Sequence, residues 1–196
     1  MLDKWDVLDR DKFPECRFLR DDLEDLKICI SDMEGMSRAL FLFWSLFITL
    51  SRDRLDRSDA IYVLDGYWMK HAAGEIIYGC DAEWVTATAK RMPRPDVTIY
   101  LDVTPEVALR RKTSFTPLEC GRRHDLSATA FVQHQTRLRE QLLAWCEEFG
   151  WTKVSAVTDE EQVAAGIDAV LEGRLVPAGR PTPLDDVAAS GEPIAR

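Results

Sequence analysis

Residues 97–103, Val-Thr-Ile-Tyr-Leu-Asp-Val, run without a break into Thr104-Pro105 and then into a stretch that carries Arg110, Arg111 and Lys112. The first seven are rich enough in β-branched and apolar side chains for a strand covered on both faces. Thr104 stands where a helix N-cap belongs, and Pro105 takes the first helical position, where its missing N–H costs nothing. Three cations follow two turns later. A buried strand that leads into a capped, cationic helix belongs to a parallel α/β sheet.

The rest of the chain supports that class by alternation. Residues 60–64 (Ala-Ile-Tyr-Val-Leu) predict a second short buried strand, ended by Asp65-Gly66. Residues 153–157 predict a last one, and residues 4–8 a weak one. Between them, helical spacing is expected over 21–33, over 38–50 with Ser37 as cap, and over 81–91 with Asp81 as cap. Residues 127–149 form a long helical stretch with Phe131, Leu138, Leu142, Trp145 and Phe149 on one stripe and Gly150 as its stop. Residues 160–172 are amphipathic and closed by Gly173. The 39–50 run, with Phe41, Phe43, Trp44 and Phe47 on several faces, predicts a helix buried nearly all round. It is too short for a membrane span, which takes about 20 residues. Residues 113–125 read as a mobile surface loop. The expected organisation is one α/β domain over 1–175, a parallel sheet flanked by helices, and a disordered tail over 176–196 dominated by Pro, Gly, Ala, Ser and Asp. Ligands of such sheets sit beyond the carboxyl ends of the strands, here 65–70, 102–105 and the loop near 156.

A net charge of −9 argues against broad nucleic-acid binding, which needs a cationic face. It leaves room for a small anion held by a local arginine cluster. Cys16, Cys29, Cys80, Cys120 and Cys146 are odd in number and show no C-x-x-C spacing, so free thiols in a reducing, cytoplasmic setting are expected. His71, His124 and His134 are too scattered for a metal site.

In order and content, residues 36–170 resemble the thymidylate kinase family. Pro95-Asp96-Val97-Thr98-Ile99-Tyr100-Leu101-Asp102-Val103 followed by Pro105-Glu106-Val107-Ala108-Leu109 is the most specific part. Ala39-Leu40-Phe41-Leu42-Phe43 looks like the family's base-stacking helix, with Phe43 at the stacking position. Asp65-Gly66-Tyr67 stands where the family has Asp-Arg-Tyr, and Ala73 and Glu83-Trp84-Val85 fit downstream. The resemblance implies a P-loop nucleotide kinase fold and a nucleoside monophosphate kinase. The γ-phosphate of ATP, with Mg2+, would pass to dTMP or a related nucleotide. It also implies a homodimer, while the net charge and the shortness of the 39–50 run are what argue against nucleic-acid and membrane partners.

The chain departs from the family in three places. The 196 residues contain no G-x-x-x-x-G-K-[ST] loop, the element that cradles ATP phosphates. Gly66 replaces the arginine that clamps the monophosphate, and Phe47 replaces an arginine at the base. With the loop and its central strand absent, Met1 reads as an internal start, the sheet is expected to lack its first strand, and the chain as given is expected to be inactive. A kinase-derived, non-catalytic nucleotide-binding or regulatory protein is the alternative, and a kinase with a changed substrate a third reading.

Phosphoryl transfer needs alignment, magnesium and cations on the migrating group. The candidate cations are Lys70, which stands where the family has Ser and would restore a cation near the acceptor phosphate, and Arg111, Arg122 and Arg123, the last two in the segment matching the family's lid. Asp65 would accept a hydrogen bond from substrate or hold the water shell of magnesium. Phe43 and Tyr67 would bind the nucleotide. Each position has an ordinary reading too. Phe43 suits a core, Asp65-Gly66 a turn, Arg111 a solvated helix end and Arg122-Arg123 a surface loop.

Overall fold

The computed structural model describes residues 28–30, 32–50, 61–122 and 125–174. The expected strand 4–8, most of the 21–33 helix, the 176–196 tail, Cys16 and Arg123 lie outside the described residues. Six helices and two strands are described: α1 (Gly35–Thr49), α2 (Trp68–Ile77), α3 (Ala82–Ala89), β1 (Ile99–Asp102), α4 (Pro105–Arg110), α5 (Ala128–Phe149), β2 (Thr152–Ser155) and α6 (Glu160–Glu172).

β1 and β2 pair in parallel, with Ile99 opposite Thr152 and Asp102 opposite Ser155. Two further bonds extend the ladder, Thr152 N–H to Thr98 O at 3.1 Å and Ala156 N–H to Asp102 O at 2.8 Å. Helices α4 and α5 form the crossover that parallel strands require. The helix starts follow the capping chemistry of the sequence. Asp81, Thr104, Ser127 and Asp159 each accept from the N–H three residues on. Gly150 ends α5 in the left-handed region at φ +67°.

Four local expectations change. Among residues 61–64 only Leu64 makes a bridge, because Ile61 and Val63 are exposed and no described strand completes a ladder beside them. Ser37 does not cap α1; the helix begins at Gly35, and the Ser37 hydroxyl instead donates to Glu34 O at 2.8 Å. α1 is not buried all round, since Met36, Leu40 and Phe47 are exposed while Ala39, Leu42, Phe43 and Leu46 are packed. Helix α2 was not anticipated, although Trp68, Met69, Ala72, Ala73 and Ile76 follow helical spacing.

The main core joins α1, α2, α3 and α5. At its centre the Trp68 ring meets Trp145, Phe149 and Trp151 at 5.6–6.0 Å, mostly edge to face. A smaller cluster, Cys120, Ala130 and Phe131, seats the 113–122 connection on α5. Gly166 lets α6 approach the sheet: a Cβ there would lie 2.9 Å from Val154 Cγ1. No described helix is long and apolar enough to cross a membrane.

Candidate functional site

A cavity of about 550 Å³ opens between the start of α1, the end of α2, the 113–122 connection and the first half of α5. That volume lies within the range of small-molecule sites. Its polar lining is Glu34, Tyr78, Arg122, Gln133, His134 and Arg137. Two arginines face one glutamate, so the wall carries a net positive charge.

The connection closes on itself to deliver Arg122. Gly121 and Arg122 are both left-handed, at φ +78° and +61°. Such a φ is uncommon for a side chain as large as arginine and is held only by surrounding contacts. Those contacts are present. The Arg122 N–H bonds Pro117 O at 2.6 Å. Its guanidinium stands 5.7 Å from the centre of the Tyr78 ring and 3.5 Å from a Glu34 oxygen. Gly121 is needed for a second reason, since a Cβ there would sit 3.3 Å from His134 Nδ1.

Behind this wall lies a buried ion pair. Arg38 donates through Nη1 to Glu75, and both are nearly sealed from solvent. Burial pushes the Glu75 carboxyl up, and the charges of Arg38 and Arg122 oppose that shift. Arg38 Nε is buried with no hydrogen-bond partner. The Arg38 guanidinium also stands 5.6 Å from the Tyr78 ring centre.

The residues expected from the sequence are spread over several places. Arg122 lines the cavity. Asp65 is exposed in the turn before α2, and Lys70 is exposed in the first turn of that helix. Gly66 is left-handed at φ +70°, and Lys70 folds back over it, with Cδ 3.1 Å and Nζ 3.8 Å from the place a Cβ would occupy. Arg111 donates to Ala156 O and Thr158 O, each at 2.9 Å, which clamps α4 to the loop after β2. Phe43 is 2% exposed and lies in the core. Tyr67 is buried too, its hydroxyl donating to Pro93 O at 2.9 Å, and burial raises its phenol. Asp65, Lys70, Arg111, Phe43 and Tyr67 are not part of the cavity lining.

Sequence reasoning did not single out Tyr78, Arg137 or the Arg38–Glu75 pair. A lone acid among Ala72, Ala73 and Ile76, and a lone base opening the 38–50 run, were the available signals, because charges on apolar faces need partners. No group of three or more His, Cys, Asp or Glu placed to hold a metal ion occurs among the described residues. Magnesium asks for less, one or two carboxylates beside substrate phosphates, and the exposed Asp65 fits that demand. The four described cysteines, Cys29, Cys80, Cys120 and Cys146, are free thiols.

No family model matches the chain. A protein of Aeropyrum pernix with a provisional thymidylate kinase name is 28% identical over 159 residues, which cover 81% of this chain and 71% of the relative. The chain is related to the thymidylate kinases. A "Probable thymidylate kinase" of Staphylothermus marinus is 38% identical over 56 residues, 29% of this chain and 28% of the relative. "Probable thymidylate kinase 1" of Saccharolobus solfataricus is 24% identical over 115 residues, 59% and 56%. The parallel pair β1–β2, its helical crossover and the capped entry into α4 accord with the α/β fold of P-loop kinases.

Proposed function

We propose that the chain serves a nucleoside monophosphate kinase reaction, with dTMP or a close relative as acceptor and ATP–magnesium as donor. The observation that carries this reading is a cavity of nucleotide size, walled by Arg122 and Arg137, in a relative of thymidylate kinases. An acceptor phosphate placed there meets guanidinium groups, the donors best matched to phosphate oxygens. In the reaction an acceptor phosphate oxygen bonds to the γ-phosphorus, the bond to the bridging oxygen breaks, and ADP leaves. Arg122 holds and neutralises the acceptor. Lys70, folded across the left-handed Gly66, returns a cation to the turn where the family carries arginine. Asp65, outside the cavity lining, would hold the water shell of magnesium, which would supply charge screening for the transferred group. Arg123 adds to the cationic segment.

The test is transfer of labelled γ-phosphate from ATP to dTMP, together with calorimetric titration of dTMP and of ATP–magnesium. Formation of dTDP supports the reading. Binding of dTMP without transfer supports a non-catalytic binding protein, and no binding of either nucleotide removes both.

A further inference from the structure

We propose that Tyr78 is a positioning residue: it holds the 113–122 connection down on the cavity and sets the Arg122 guanidinium against its wall. The inference rests on the acceptor reading for its ligand, and on contacts for its geometry. Tyr78 directly follows α2, where its N–H still bonds Gly74 O at 2.9 Å. Its hydroxyl leaves the helix and donates to Leu118 O, in the middle of the connection, at 2.9 Å. Its ring lies parallel to the His134 imidazole of α5, with centres 5.5 Å apart and an 8° interplanar angle. The guanidinium groups of Arg38 and Arg122 stand 5.6 and 5.7 Å from the ring centre.

One side chain therefore ties α1, α5 and the connection together. The connection is also held by the Cys120–Ala130–Phe131 cluster, by Gln135 Nε2 donating to Glu119 O at 3.1 Å and by the close approach of Gly121 to His134. Tyr78 differs from these in that the side chain bonding the connection's backbone also faces the cation the connection delivers. Moving Leu118 away would shift the left-handed Gly121-Arg122 pair, and with it the guanidinium. Burial raises the Tyr78 phenol, so it remains a hydrogen-bond donor through the neutral pH range.

The experiment compares the full chain with Y78F, which keeps the ring and its stack on His134 and removes the donor. Hydrogen–deuterium exchange is read at the amides of residues 118–122, and dTMP affinity by calorimetry. The expected result is faster exchange confined to the connection. With it, dTMP binds about threefold to tenfold more weakly, the range of one lost hydrogen bond. In an R122N background, where asparagine tolerates the left-handed φ, the Y78F effect on dTMP should vanish, because the two residues act as one unit. Unchanged exchange at 118–122 overturns the proposal, as does a rise spread evenly over the protein, which marks a general structural role. If the unmodified chain binds no dTMP, the acceptor reading fails, and the positioning role is judged on exchange alone.

Discussion

The guanidinium of Arg139 grips both carboxylate oxygens of Asp102, Nε to Oδ1 at 2.7 Å and Nη2 to Oδ2 at 2.9 Å. The pair fastens α5 to the last residue of β1, and the Asp102 hydrogen bonds raise the Arg139 guanidinium further. Arg111 makes the matching clamp at the end of β2. The carboxyl ends of both parallel strands are thus locked by arginines rather than left open.

R139K keeps the charge and loses the two-pronged geometry. Because both side chains remain partly exposed, the expected cost is only about 1 kcal/mol, or roughly 2–4 °C in Tm for a chain of this size. The exposed Lys153–Glu147 pair supplies the control, and K153A should leave the melting curve unchanged. Equal shifts for the two variants in a thermal melt would deny the Arg139–Asp102 bond its special role.

The Arg38–Glu75 pair makes an asymmetric prediction. E75L leaves a buried guanidinium without its counter-charge and should cost about 3–5 kcal/mol in denaturant unfolding. The double variant R38M/E75L removes both charges and should recover most of that loss. A double variant as unstable as E75L alone would mean that the pair contributes through shape rather than charge.

Gly166 predicts a clash with a named relief. In G166A the new methyl meets Val154 Cγ1 at 2.9 Å and should destabilise by about 1–2 kcal/mol through overpacking. Adding V154A should cost less in the G166A background than in the unmodified chain, a coupling readable from a double-mutant cycle. Additive effects would show that α6 simply moves outward.

Several of these features were legible in the sequence. The caps at Asp81, Thr104 and Ser127, the Gly150 stop and the extent of α6 all follow from local hydrogen-bonding chemistry that needs no tertiary partner. The strand after residue 60 was less so, because a ladder depends on a neighbour that local sequence does not specify. Arg122 could be picked out, and it lines the cavity. Tyr78 could not, because its role arises from four contacts with residues 40 or more positions away, on α1, α5 and the connection. Phe43 shows the limit of an apolar run, which predicts burial without saying what covers the ring.

The 113–122 connection should respond to acid. Burial would raise the Glu119 carboxyl, but hydrogen bonds from Lys112 and from the Thr116 amide and hydroxyl, together with the charge of Lys112, override it and hold it below the ordinary glutamate range. A folded value below the unfolded one stabilises above the ordinary glutamate pKa and is lost as pH falls through the folded value. Amide exchange at 116–122 should therefore accelerate below the ordinary glutamate range, relative to the rest of the chain. E119Q should remove that acid step, and a step that survives in E119Q would assign it to another group.

The central claim is that the cavity takes the phosphate of an acceptor nucleotide. Calorimetric titration of dTMP and of thymidine into the full chain and into R122N tests it most directly. The account predicts dTMP binding at least about tenfold tighter than thymidine, the scale of a charge-assisted hydrogen bond, with most of that preference gone in R122N. Equal affinity for dTMP and thymidine, or a preference untouched by R122N, would contradict it.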